Sequence, residues 1–351
     1  MKILVIGAGP LGSLIAARLY QDGLNVSLLA RGKRLKELKE HGVVLHSFLS
    51  KETESIHVPL VETFQSQDLF DLVMVVMRKN SAIKLLPTLK NNPRVPTFLF
   101  LMNNAAGSAG WIDALGKERV LIGFPGAAGY REGHQVVHLD GDKNAKGGIV
   151  MGEVEPGTNP QFAKIKTTLA KSEYLEVVEE PEMDAWLKYH TALLFPSLAP
   201  ALYLCANDRL RFARTRDAIL MAWRAIKEGF AVLQTLGYPI RPAKFRYFLW
   251  LPEPLVIAVV KKALKNPRLD VALVKHAEVI RDEIQQLNRE FQRLIDKSGL
   301  FTPTIQFLTQ QYDQIAPYLP DGSSNIRMRW SEVLIPILML VIFVLLVFFV
   351  L

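Results

Sequence analysis

The chain opens with a short, uninterrupted apolar run, Lys2 to Ile6 (KILVI), the pattern of a central strand covered on both faces. The run breaks directly into glycines, without the cleavage-type segment of a secretory signal, so it reads as a buried strand. A helical stretch, Ser13 to Gln21, ends at Asp22-Gly23, and a second apolar run covers Asn25 to Ala30. Strand, glycine turn, helix and strand in about thirty residues have the size of one βαβ unit. The alternation continues, with apolar runs at Asp71–Met77, Thr97–Met102 and Val120–Phe124 separated by helical patterns at Ser81–Lys90 and Ser108–Leu115. This predicts an α/β domain with a doubly wound, mostly parallel sheet. Two alternating segments, His134–Asp140 and Gly147–Glu153, flank the turn-rich DGDKNAKGG and predict a hairpin at the sheet edge.

From Pro181 onward the period becomes helical. Asp184–Tyr203, Asp208–Leu236, Leu255–Leu264 and Val271–Ile295 carry apolar residues at i, i+3, i+4 spacing, punctuated by Gly237-Tyr238-Pro239, Pro252-Glu253-Pro254 and Thr302-Pro303. The predicted organisation is an α/β domain at 1–181, an all-α domain at 182–319, a linker at 320–332 and a hydrophobic tail at 333–351. The tail, Val333 to Leu351, has no charge and one proline, Pro336. Its helical length of about 28 Å matches the ~30 Å hydrocarbon core of a bilayer. Arg327, Arg329 and Trp330 stand just before it, as at a cytoplasmic interface. The expectation is a single-pass C-terminal transmembrane anchor, with nothing beyond it and the catalytic body in the cytoplasm; a hydrophobic dimerisation helix is the competing reading.

Composition adds three exclusions. The single cysteine, Cys205, leaves no internal disulfide and no Cys-cluster metal site, and fits a reducing compartment. The seven histidines show no metal-ligand spacing, so no metal is expected. The net charge of +8 is spread among acidic residues and comes with no nucleic-acid motif, which favours a membrane surface and a phosphorylated ligand over nucleic acid.

The candidate chemistry begins at Gly7-Ala8-Gly9-Pro10-Leu11-Gly12. A Gly-x-Gly-x-x-Gly turn alone is weak evidence, but this one follows a strand and opens a helix. The first glycine makes the tight turn, the second lets the backbone approach a pyrophosphate, and the third packs helix on strand. The helix N-terminus then faces the anion. At the end of the second strand, where an NAD site usually has an acidic residue, stand Arg31, Lys33 and Arg34. Three cations at a helix start oppose the helix dipole unless an anion such as a 2′-phosphate is bound. The expected cofactor is therefore NADP(H), on a Rossmann-type domain.

Across roughly residues 1–315 these features resemble the ketopantoate reductase (2-dehydropantoate 2-reductase) family, which reduces a 2-oxo acid with NADPH. The resemblance implies a Rossmann domain, a helical second domain and a proton-donating lysine on the latter's first helix. In Ala185-Trp186-Leu187-Lys188-Tyr189-His190 that lysine is Lys188. It further implies Glu283 in Arg281-Asp282-Glu283-Ile284 as the family glutamate, and Asn103 as the asparagine of a Gln-Asn-Gly signature. Gly129 would line the nicotinamide side, and Asn207 matches a further substrate-side asparagine. A family lysine falls on Arg78, or on Lys79 if the register slips by one. The chemistry suits these residue types, because an ammonium stabilises charge building on a carbonyl oxygen and then gives up a proton. From spacing alone, Lys188 also reads as a snorkelling helix lysine and Glu283 as one charge on a solvated face.

The sequence departs from the family where substrate would bind. Two family asparagines fall on Ala192 and Pro196, and a serine falls near Asp270–Val271, so ketopantoate itself is not the expected substrate. The leading reading is a tail-anchored, NADPH-dependent reductase of a 2-oxo acid or related carbonyl. The alternatives are a catalytically inactive, membrane-tethered NADP(H)-binding sensor or scaffold, and a relative acting on a sugar or polyol phosphate. The partners expected are a small-molecule carbonyl substrate and a lipid bilayer, with a homodimer left open. The aromatic segment Phe245–Pro252 reads as core by default, with a cleft wall, a dimer surface or a bilayer-facing patch as the other options.

Overall fold

The computed structural model describes residues 1–274 and 281–330. The chain forms two compact units, one from Met1–Thr191 with Asp270–Gln292, the other from Ala192–Leu269 with the chain from Arg293. The first contains, in chain order, β1 (Lys2–Ile6), α1 (Pro10–Gln21), β2 (Asn25–Leu29), α2 (Gly32–His41), β3 (Val43–Ser47), β4 (Thr53–Ile56), β5 (Leu60–Val61), β6 (Leu72–Val75) and α3 (Lys79–Lys90). There follow β7 (Phe98–Leu101), α4 (Ala109–Leu115), β8 (Val120–Gly126), β9 (Gly129–Glu132), β10 (Gln135–His138), β11 (Gly147–Glu153), α5 (Phe162–Leu169), β12 (Leu175–Glu179) and α6 (Met183–Leu193).

Eight strands form the main sheet in the order β12-β11-β8-β7-β6-β1-β2-β5. Every neighbouring pair is parallel except β11 with β8. The pleat of β1 sends Ile3 and Val5 into one apolar layer and Leu4 and Ile6 into the other, and all four are buried. Each such side chain contributes about 1.5–3 kcal/mol relative to exposure, which is why the strand reads as an unbroken apolar run.

The expected hairpin at 134–153 does not form. Strand β10 leaves the main sheet and joins a four-stranded one, β4-β3-β10-β9, whereas β11 pairs with β8 and β12. The connection between them is held away from a hairpin path by Asp142, which accepts from the buried Arg18 (2.9 Å) and from Ser47 Oγ (2.8 Å). Arg18 also pairs with Glu54 on β4, so one buried guanidinium ties α1 to the small sheet. Burying that charge demands partners, and these acidic and hydroxyl groups override the local hairpin signal.

The first unit extends ten residues beyond the boundary read from the sequence. Met183 and Leu187 of α6 are buried in the same apolar layer as Phe98, Phe100 and Trp111, so this helix belongs to the sheet. The segment from Asp270 to Gln292 returns to the same unit.

The second unit is helical: α7 (Ala199–Leu204), α8 (Arg209–Arg214), α9 (Arg216–Thr235), the single turn α10 (Phe245–Phe248), α11 (Glu253–Ala263), the end of α12 (Arg281–Ser298) and α13 (Pro303–Asp313). The stretch expected as one helix over 184–203 passes through a π-helical turn at Leu194–Leu198. Pro196 has no N–H to give to the helical ladder, and the Ser197 hydroxyl donates to the carbonyls of Ala192 (2.9 Å) and Leu193 (2.5 Å) instead. No helix among the described residues is long and apolar enough to cross a membrane. The segment 333–351, read from the sequence as membrane-spanning, lies outside the described residues.

Candidate functional site

The glycine turn is shaped by two close backbone approaches. Gly7 has φ +118°, and a Cβ placed on it would lie 2.1 Å from the carbonyl oxygen of Val76. A Cβ on Gly12 would lie 1.9 Å from the Gly7 carbonyl oxygen. Neither position admits a side chain without opening the turn. Gly9 differs, because nothing stands within 4 Å of its Cβ position. Gly9 is also the N-cap of α1, which has no side-chain cap and no acidic residue in its first turn. Pro10 at the helix start removes one orphan donor, and the other first-turn N–H groups remain for an anion.

Gly7, Ala8 and Gly9 line a cavity of about 480 Å³ that continues past Ala30 and Arg31 to Ser81, Lys84, Thr88 and Arg131. The three cations expected to share one role have different ones. Arg31 and Arg34 both line the cavity. Arg34 also donates to the carbonyls of Ala8 (3.2 Å) and His134 (2.9 Å) and to Ser13 Oγ (3.2 Å), which braces the glycine turn. Lys33 is 90% exposed and faces Glu37. Two further cations at the cavity, Lys84 and Arg131, were not singled out in the sequence. Gly129 does not line it; a Cβ there would lie 2.9 Å from the Val137 carbonyl oxygen, so this glycine serves the β9–β10 pairing.

A second cluster lies in the same unit, at the carboxyl end of β7. Lys188 on α6 is 2% exposed and donates to both carboxylate oxygens of Asp184, one turn earlier, at 2.5 Å. The loop after β7 approaches this pair at Gly107, whose Cβ position is 3.6 Å from both Lys188 Nζ and Asp184 Oδ1. Asn104 donates to the Gly107 carbonyl (2.9 Å) and accepts from Lys79 Nζ (2.5 Å). Lys79 in turn donates to Glu290 Oε2 (2.7 Å), which also accepts from the backbone N–H groups of Ala105 (3.3 Å) and Ala106 (3.2 Å). Asn103 is buried and hydrogen-bonds Glu283, and its Oδ1 has no partner among the described residues.

Burial pushes the Glu283 carboxyl up to about 7, with Asp282 and Glu290 adding to the rise while Arg78 and the Asn103 bond oppose it. The helix face carrying Glu283 is therefore buried, which excludes the reading of a solvated charge. Of the two cations after β6, Lys79 takes the buried place, whereas Arg78 is 42% exposed and pairs with Asp282 (3.0 Å). His190 stacks on Trp186 and packs against Phe124 as an aromatic neighbour. Asn207 belongs to the second unit. It follows α7 in the left-handed region (φ +52°), with its N–H on the Leu202 carbonyl (3.0 Å), a capping geometry that asparagine tolerates.

A dinucleotide fits the residues present. The open space at Gly9 and the uncapped start of α1 would take the pyrophosphate, and the unpartnered Asn103 Oδ1 would accept from a carboxamide. Sequence reasoning missed Asp184, Asn104 and Glu290. Glu290 had a signal, since it lies seven residues beyond Glu283 and so on the same helix face.

The parallel sheet and its glycine turn have the form of a Rossmann-type dinucleotide-binding unit, with a buried polar cluster after β7. Residues 3–156 of the chain match the family model described as ketopantoate reductase PanE/ApbA. It is 37% identical over 81 residues to an uncharacterized oxidoreductase, YkpB, of Bacillus subtilis strain 168 (23% of this chain, 26% of the relative). It is 28% identical over 190 residues to a 2-dehydropantoate 2-reductase of Listeria monocytogenes serovar 1/2a (51% of this chain, 61% of the relative). The chain thus spans between a quarter and three fifths of the length of these curated relatives. In fold it is similar to a D-mandelate dehydrogenase solved with NADH and anilino(oxo)acetate, with a TM-score of 0.72 at 19% identity over 90% of this chain and 97% of that one.

Proposed function

We propose that the protein is an NADPH-dependent reductase of a 2-oxo acid or related carbonyl compound, with Lys188 as proton donor, held at a membrane by residues 333–351. The observation that carries this reading is the presence, in one unit, of a cavity at the glycine turn edged by Arg31, Lys84 and Arg131 and of a buried Lys188 paired with Asp184 beside the β7 loop. Gly7, Ala8, Gly9 and the start of α1 from Pro10 to Gly12 would hold the pyrophosphate, and the cations would hold a 2′-phosphate. When bound, the nicotinamide supplies a hydride to the carbonyl carbon.

The remaining work falls to the chain's own groups. The ammonium of Lys188 opposes the negative charge that develops on the carbonyl oxygen and then delivers a proton to it. Asp184 holds that ammonium in one orientation through two hydrogen bonds. Glu283 accepts a hydrogen bond from the product hydroxyl, and Asn103 fixes the Glu283 carboxyl. Burial of these groups keeps water from the reacting atoms.

The test is NADPH oxidation by the full-length protein in detergent against ketopantoate, other 2-oxo acids and ketones. NADPH is expected to outperform NADH by at least about tenfold, since even one charged contact to a 2′-phosphate is worth ~1.5–3 kcal/mol. Lys188→Ala should abolish turnover and leave NADPH binding intact. One observation favours a second reading: Ala192 and Pro196, at the family's asparagine positions, are buried and offer no side-chain donor. Tight NADPH binding without turnover on any carbonyl would move the assignment to a tethered, non-catalytic NADP(H)-binding protein.

A further inference from the structure

We propose that the second unit carries a face built to lie on an anionic lipid bilayer, formed by residues 244–262 together with Trp330. This face is distinct from the apolar tail, and its case rests partly on the tail reading above.

Scattered exposed apolar residues are ordinary. Here five large ones, Tyr247, Phe248, Trp250, Leu255 and Val259, are exposed within a short span, with Trp250 at 87% and Tyr247 at 71%. Their platform is well anchored, since the Phe245 ring packs on Phe230 of α9 (5.7 Å between centroids) and on Phe248 (6.1 Å). The aromatic side chains therefore project from a fixed surface.

The charge around them is one-sided. Between Ile240 and Leu269 the sequence has seven Lys or Arg and one acidic residue, Glu253. Glu253 is buried and fully engaged, accepting from Arg224 Nε (2.7 Å) and Nη2 (2.9 Å), so the exposed charge is positive, from Lys244, Arg246, Lys262, Lys265 and Arg268. Exposed indole and phenol rings interleaved with cations are the composition of an interfacial element beside acidic headgroups.

The chain end supplies the second, independent observation. Glu253 also accepts from the backbone N–H of Arg329 (2.7 Å), and Arg224 donates to the Arg327 carbonyl (2.8 Å). Trp330, 51% exposed, is thereby held beside the start of α11. Trp250 lies three residues before Glu253, within about 11 Å of it along the chain. Trp330, the last described residue before the apolar stretch at 333–351, is thus held at the edge of the unit that bears the aromatic residues. A second copy fits this face poorly, because an isologous contact would bring its cations against their own counterparts.

The test uses the full-length protein with vesicles of phosphatidylcholine, with or without phosphatidylglycerol, whose acyl chains carry bromine near the headgroups. Flotation reads the tail; bromine quenching of tryptophan fluorescence reads the face. Trp250 and Trp330 are the exposed indoles, so Trp250→Phe is expected to remove roughly half of the quenching without changing flotation. Lys244→Glu with Arg246→Glu should reduce the quenching only on vesicles containing phosphatidylglycerol. Flotation with no Trp250-dependent quenching would overturn the face and leave the tail reading standing. Failure to float on phosphatidylcholine alone would overturn the tail reading, and failure to float on the acidic vesicles as well would overturn the face. Shielding of Trp250 from acrylamide in a lipid-free dimer would assign the face to a second copy and refute the proposal.

Discussion

Glu283→Gln isolates the effect of burying one ionisable group. In the unfolded chain the carboxyl titrates near 4.5, whereas in the folded protein burial raises it to about 7. Below pH 4.5 both states hold the proton and the group adds no pH dependence. Between these values the folded state keeps a proton that the unfolded state has released, so stability falls as pH rises. Above about 7 the folded protein carries the full penalty of a buried carboxylate. A displacement of this size corresponds to about 3 kcal/mol, and the side chain is too buried for solvent screening to reduce it much. Glutamine keeps the shape, can still bond Asn103 and never ionises. The stability difference between the variant and the wild type should therefore shift in the variant's favour by about 3 kcal/mol from pH 4.5 to pH 8.5. In a unit of this size that is a gain on the order of 10 °C in the melting temperature. Thermal unfolding of both proteins, without cofactor, at the two pH values measures it. A gap that stays constant with pH, or a variant less stable at pH 8.5, would mean that the charge of Arg78 and the Asn103 bond outweigh desolvation, and the argument from burial would fail.

Two glycines of the turn should separate binding from folding. Gly9→Ala adds a methyl group into open space and should leave the melting temperature unchanged, yet weaken NADPH binding about tenfold or more by crowding the pyrophosphate, as read by cofactor fluorescence. Gly12→Ala meets the Gly7 carbonyl and should lower the melting temperature itself; equal effects of the two changes on stability would contradict the geometry. Removing one partner of the buried Lys79–Glu290 pair, as in Lys79→Met, should destabilise by about 3–5 kcal/mol in urea unfolding. Lys79→Met with Glu290→Leu should recover much of that loss, and a double variant as unstable as the sum of the singles would show the pair to be uncoupled.

The sheet was legible because its central strands are covered on both faces, so their apolar runs stand out against the polar turns. The glycine turn was legible for a related reason: only glycine fits two of its three positions, and the third faces open space. Strands β10 and β11 misled the sequence reading, because what separates them is the buried charge of Arg18, distant in the chain from the turn it controls. The smooth helical period over 184–203 likewise hid the π-helical turn, since Pro196 alters the hydrogen-bond ladder and leaves the apolar spacing intact. At the site, single residues were easier to read than their partners. Lys188 and Glu283 followed from the resemblance. Asp184 was one helical turn from Lys188 and could have been found, whereas the link between Lys79 and Glu290 crosses 211 residues and has no local trace.

That link sets an order of events during synthesis. Lys79 leaves the ribosome long before Glu290 is made; at ~5–20 residues per second the interval is about 10–40 s. Meanwhile residues 192–269, which belong to the other unit, emerge and can begin to fold. The first unit must wait with its sheet formed, an ammonium in its interior and no carboxylate to meet it, until Glu290 of α12 arrives. A fragment ending at residue 181 would be held permanently at that stage, and a nascent chain passes through it each time the protein is made.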